Sequence, residues 1–208
     1  MTDPTGMAPN DYKVNQDGKI EFVKTTDDDH DVLYATDDDG EINKDKSITV
    51  KKGILNNIKT GISAINPEDT YSFMKVFGDK RATGLFEFLA TNTSVEWSQV
   101  KYGTNANYLS TMNDAGAEEG GPSLIKKSIE ELYTVRELIH SHPFKNNKTN
   151  YGPSNNINKF GKITGDLQNA KWIETSCNIW SNARNLSLSV YEATNRTYIK
   201  YNSQGVIK

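Results

Sequence analysis

The chain has 208 residues, 35% of them hydrophobic and 25% charged, enough for one domain with a full core and a smaller appendage. Lysine and arginine total 24 against 27 acids, and a formal charge of −3 argues against nucleic acid as the default partner. The single cysteine, Cys177, excludes an internal disulfide and a thiolate zinc cluster and reads as a small core residue, and no apolar run approaches the roughly 20 residues of a membrane span.

The N-terminus "MTDPTGMAPNDYK" has neither the basic start nor the apolar stretch of a signal peptide. Residues 1–50 read as an extension or linker with short hairpins: "YKVNQDGKIEF" turns at Asp17-Gly18 and "VLYATDDDGEINK" at Asp39-Gly40. The acidic runs suit a calcium loop poorly. Ala35 stands where a ligand is needed before Gly40, no glutamate follows at the required distance, and solvated turns are expected. From Lys51, Ile54, Leu55, Ile58, Ile62 and Ile65 fall on one face of a helix. "INPEDTYSFMKVFGD" predicts another, with Asn66 as N-cap, Pro67 in the first turn, Gly78 as the stop, and Phe73, Met74 and Phe77 packed inward.

"TGLFEFLA" and "SVEWSQVKYG" alternate as strands, and "NYLSTMN" follows after a turn. "SLIKKSIEELY" is helical, with Leu124, Ile125, Ile129 and Leu132 on one face, and "TVRELIHSHP" is a strand ending at Pro143. Residues 144–164 read as a long surface loop, "GDLQNAKWIE" restarts a helix at or near Asp166, and two or three strands close the chain. Helices and strands alternate, so the fold class is α/β or α+β, a mixed central sheet flanked by helices over 51–208.

Two of the three histidines stand at His140 and His142. On a strand, positions i and i+2 share a face, so the two imidazoles lie side by side at its end and offer two ligands to a metal such as zinc. Between Pro143 and Ile173 the only acid is Asp166, at a helix start, which makes it the downstream candidate for a third ligand. A base that is not itself a ligand is also needed. Glu96 projects opposite to Val95 and Trp97, Glu87 competes with it, and Glu137 faces away from both histidines.

A glutamate on a strand, H-S-H-P 44 residues later, and an aspartate opening a helix together resemble the JAMM metallopeptidases, also called JAB or MPN-plus. The resemblance implies a JAB/MPN-like fold with cytidine-deaminase-like layering. It implies zinc held by His140, His142 and Asp166, with Glu96 as general base. The serine that the family places three residues before the aspartate is replaced by Ile163; Thr164 and Ser154 are the hydroxyls available for the oxyanion, and an insertion from about Asn155 to Thr164 accounts for the long gap before Asp166. "DPTGM" at 3–7 further resembles the junction ahead of the JAB-like tips of Rhs-type polymorphic toxins.

That resemblance implies a zinc-dependent peptidase or isopeptidase, secreted within a larger carrier and acting in the cytoplasm of a target cell. A protein or peptide substrate and a cognate immunity protein follow as partners, with neither nucleic acid nor membrane. The alternatives are a scaffold of the same shape without catalysis and a metal-dependent nuclease.

Overall fold

A computed structural model describes residues 10–114, 119–143, 152–154, 156–157, 163–179 and 186–207, with the backbone alone at 156–157, 163–164 and 176–179. Strands β1 (Asn10–Val14), β2 (Ile20–Thr25), β3 (His30–Thr36) and β4 (Ile42–Lys51) form a four-stranded sheet in the order β2-β1-β3-β4. Both expected Asp-Gly hairpins are present. At the second, the Asp37 carboxylate accepts from the Asp39 and Glu41 amides, so the acidic run is spent on shaping its own turn.

The main sheet has eight strands in the order β14-β13-β12-β9-β7-β8-β6-β5. They are β5 (Lys59–Ile62), β6 (Thr70–Phe77), β7 (Ser98–Tyr102), β8 (Ala106–Thr111), β9 (Val135–His142), β12 (Ser187–Glu192), β13 (Thr197–Asn202) and β14 (Gly205–Val206). All neighbours run antiparallel except β9 and β12, which are parallel. A small hairpin, β10 (Asn156–Ile157) with β11 (Ile163–Thr164), stands apart. The helices are α1 (Asp79–Asn92), α2 (Gly120–Glu130) and α3 (Asp166–Ile179). The result is the expected mixed sheet flanked by helices.

Both faces of the main sheet are covered. Val100, Leu138, Leu188 and Val190 on one face pack with Leu124, Ile125 and Ile129 of α2 and with Ala170 and Ile173 of α3. Trp97, Leu109, Ile139 and Tyr191 face the other way, toward Leu85, Phe86 and Leu89 of α1 and toward Tyr12, Val14, Leu33 and Val50 of the four-stranded sheet. Residues 10–51 therefore share a core with the main sheet. Gln16 reinforces the contact by hydrogen bonds to Asn92 and Ser94. No helix among the described residues is long and apolar enough to cross a membrane.

Four expectations are corrected. Residues 51–65 form a turn, a single 3-10 turn at Leu55–Asn57 and edge strand β5 instead of a helix. The "NPED" signature closes a β-turn, with the Asp69 amide donating to the Asn66 carbonyl, and Thr70–Phe77 runs on as strand β6, leaving Phe77 exposed. "TGLFEFLA" is the body of α1, because Ala82, Leu85, Phe86, Leu89 and Ala90 recur at helical spacing and all are buried. Leu132 also leaves its helical face, with a φ of 63° and 80% exposure just beyond α2. The side chain of Cys177 lies outside the described residues.

The start of α1 is tied to the sheet by Asp79, which accepts from both terminal nitrogens of Arg136 at 2.7 and 2.9 Å and from Asn107 Nδ2 at 3.0 Å. The Arg136 hydrogen bonds hold the Asp79 carboxyl below its ordinary 3.8. A depressed folded-state pKa contributes stability above the unfolded value that is lost as pH falls through the folded one. The thermal midpoint is expected to drop as pH falls from 5 toward 3, and less steeply in Asp79→Ala, when followed by circular dichroism across that range. At Gly121 a Cβ would stand 2.8 Å from both Leu138 Cδ1 and Ser98 Oγ, so α2 lies against the sheet without a side chain between them. Gly121→Val is expected to cost about 1–3 kcal/mol by overpacking, readable in a denaturant titration.

Candidate metal centre

β9 carries the pattern Leu138-Ile139-His140-Ser141-His142, and its alternation decides every role. Ile139 goes to the α1 core, and Ser141 follows it onto that face, where its Oγ accepts from the Trp97 amide at 3.1 Å and its own amide donates to the Trp97 carbonyl at 2.8 Å. His140 and His142 are thereby turned to the α3 face. Their Nε2 atoms approach to 3.2 Å. Asp166, in the first turn of α3, closes the triangle: Oδ1 lies 3.0 Å from His140 Nε2 and Oδ2 lies 3.1 Å from His142 Nε2.

All three side chains are largely shielded from solvent. Burial by itself would raise the Asp166 carboxyl, but the charge and hydrogen bonds of His140 and His142 outweigh it and hold the group well below the usual carboxylate range. Two imidazole nitrogens and one carboxylate oxygen form a donor set suited to zinc. A tetrahedral zinc with bonds of about 2.0–2.2 Å sets its donors about 3.3–3.6 Å apart. The observed separations of 3.0–3.2 Å lie a few tenths of an ångström below that, so the residues fit the ion. Among the described residues this is the group of histidines and acids placed to hold a metal.

Asp166 is positioned by an unexpected device. Its amide donates to Ser154 Oγ at 3.1 Å, and the Ser154 amide donates to its Oδ2 at 2.6 Å. Ser154 thus caps α3 from 12 residues upstream, while the intervening chain makes the β10–β11 hairpin. Of the two candidate hydroxyls, Ser154 is at the metal centre; the backbone of Thr164 pairs with Asn156 in the hairpin, and its side chain lies outside the described residues. Gly165, at φ +86°, makes this possible, since a Cβ there would collide with Ser154 Oγ.

Glu96 precedes β7. Its amide donates to the Asp114 carbonyl at 2.9 Å and its carbonyl accepts from Thr111 Oγ1 at 2.7 Å, so its backbone is held from both sides. Val95 and Trp97 are buried in the α1 core, which turns Glu96 to the histidine face. Ser98 pairs with His140, and continuing that register sets Glu96 across from His142. Glu87 is in another layer: it sits on α1 and accepts from the Tyr198 hydroxyl at 2.5 Å. Glu137 faces away from the histidines and pairs with Lys101 at 2.7 Å.

Tyr201 of β13 completes the pocket. Its hydroxyl lies 3.5 Å from His140 Nδ1, and burial first, then the charges of Asp166 and Glu96, raise its pKa and keep it neutral. No local pattern marks it, because it lies 61 residues from His140 and reaches it only through the β9-β12-β13 order.

A mixed sheet with helices on both faces, and a buried His-His-Asp triangle at the end of a central strand, defines a domain built around a group that could hold a metal ion. Residues 74–171 match the JAB-like toxin 1 family, a span that holds Glu96, His140, His142, Ser154 and Asp166. Over that span the chain is similar to a JAB-like toxin domain. No curated protein and no solved structure matches it.

Gly165→Ala is expected to displace Ser154 and loosen the start of α3, lowering zinc affinity about 10–100-fold, as disturbance of the groups that orient a ligand does, with the fold retained. Competition with a chromophoric chelator, alongside circular dichroism, reads both.

Proposed function

We propose that the domain is a zinc-dependent peptidase or isopeptidase that acts as a toxin. The observation that carries this reading is the triangle of His140, His142 and Asp166, with Glu96 on the same face and across from His142. A zinc ion held by the two Nε2 atoms and an Asp166 oxygen would supply Lewis acidity toward a water and toward the carbonyl of a scissile amide.

The protein's own groups divide the remaining work. The Glu96 carboxylate takes a proton from the attacking water and returns it to the departing amine nitrogen. Ser154 Oγ accepts from the Asp166 amide, which leaves its O–H to donate to the oxygen that becomes negative. Ser141, bonded to the Trp97 backbone, fixes both the histidine strand and the segment that presents Glu96. Tyr201 covers the Nδ1 side of His140 and excludes water there.

The match to a toxin family and the "DPTGM" segment support delivery within a larger secreted carrier, with a protein or peptide as substrate and an immunity protein to protect the producing cell. The test is metal content and toxicity together. Purified protein should hold about one zinc per chain by elemental analysis. His142→Ala and Asp166→Ala should lose it while remaining folded. Glu96→Gln should keep the zinc and lose toxicity on expression in bacteria, consistent with a fall of about 10²–10⁴ in rate. Absence of zinc after reconstitution, or full toxicity of Glu96→Gln, overturns the proposal.

A further inference from the structure

A second feature lies apart from the metal centre. Where β4 leaves the four-stranded sheet and passes through the 3-10 turn toward β5, it borders a cleft of about 600 Å³ against β6, β8 and the ends of α1 and α2. Six cationic side chains line it: Lys51, Lys52, Lys59, Lys75, Arg81 and Lys127. One acid, Glu131, lines it too, and pairs with Lys127 at 3.0 Å. A concentration of five net positive charges is a strong local field in a chain whose formal charge is −3. The cations come from six separate elements or turns, so the sequence carries no basic run that would announce them.

The floor of the cleft is aromatic, but the rings are already engaged. Tyr108 stacks on Tyr102 with centroids 4.5 Å apart, and Phe73 meets Tyr108 edge-on at 5.7 Å. Lys75 Nζ sits over the Phe77 ring at 4.9 Å. The rings therefore wall the cleft and are poorly placed as stacking platforms for nucleobases. Five of the six cations are lysines, point charges on flexible stems that suit several independently placed carboxylates better than one fixed fork. The acidic turn at 27–29 lies at the same end of the four-stranded sheet as the cleft, because His30 pairs with Lys51, so a long polyanion running past the cleft meets like charge there.

From these features we infer that the cleft is a docking surface for an acidic segment of a protein partner, separate from the metal centre and independent of whether that centre hydrolyses amides. Binding is mainly electrostatic, and salt therefore weakens it.

The test uses the intact chain and a fluorescein-labelled decaglutamate peptide, titrated at low ionic strength and read by fluorescence anisotropy. Saturable binding is expected, weaker by about tenfold or more in Lys51→Glu/Lys59→Glu and weakened again at about 150 mM salt. Lys59→Glu alone should give a smaller loss, which keeps the test decisive if the double variant does not fold. Glu96→Gln should bind the peptide as the parent does, separating this surface from the proposed hydrolysis. No binding of the peptide, binding indifferent to the charge reversals, or tighter binding of a ten-nucleotide oligothymidylate than of the peptide overturns the inference.

Discussion

The triangle of His140, His142 and Asp166 depends on the parallel pairing of β9 with β12. Parallel neighbours need a crossover, and here it contains α3, which packs on the sheet face shared by Leu138, Leu188 and Val190. A helix that returns the chain in this way starts near the C-terminal end of the strand before it. That end of β9 is where His140 and His142 stand, so the first turn of α3 delivers Asp166 to them. The triangle is thus a consequence of connectivity: an antiparallel β9–β12 pair joined by a tight turn would leave both imidazoles without their carboxylate.

Burial sets the terms for everything around this triangle. A carboxylate taken from water is costly unless it is paired and hydrogen-bonded, and Asp166 has two imidazoles and the Ser154 amide. The opposite sheet face is equally constrained. Ser141 occupies the one position between the histidines, fully buried, and its bonds to Trp97 replace a side-chain packing contact with a stitch between β9 and the segment before β7. The same stitch fixes the register that sets Glu96 across from His142. The positions of Glu96 and of the two histidines are therefore coupled through one serine on the far side of the sheet.

Much of this could be read in the residues. The i, i+2 rule oriented the histidines, the lone acid between Pro143 and Ile173 singled out Asp166, and burial of Val95 and Trp97 follows from their alternation around Glu96. What failed were segments where two local signals coincide. Asn-Pro-x-Asp opens a helix or closes a turn, and pairing of β6 with β5 and β8 decides for the turn. Phe86-Glu87-Phe88 alternates as a strand would, yet the spacing from Ala82 to Ala90 is helical and the α1 core enforces it. Tyr201 stayed invisible because its contact with His140 spans 61 residues, and the cap by Ser154 because a pairing 12 residues apart across an irregular stretch leaves no periodic signal.

The junction of Ser154 with Gly165 and Asp166 has a consequence for how the domain can vary. The hairpin between them leaves and re-enters the fold at nearly one point, and that point is clamped by hydrogen bonds of its own. Closing a flexible loop costs only about 0.6 kcal/mol more for each doubling of its length, so this excursion is close to a free parameter of the architecture. It can grow, shrink or be exchanged for a different module while the His-His-Asp triangle keeps its shape, much as a socket is indifferent to the tool it holds.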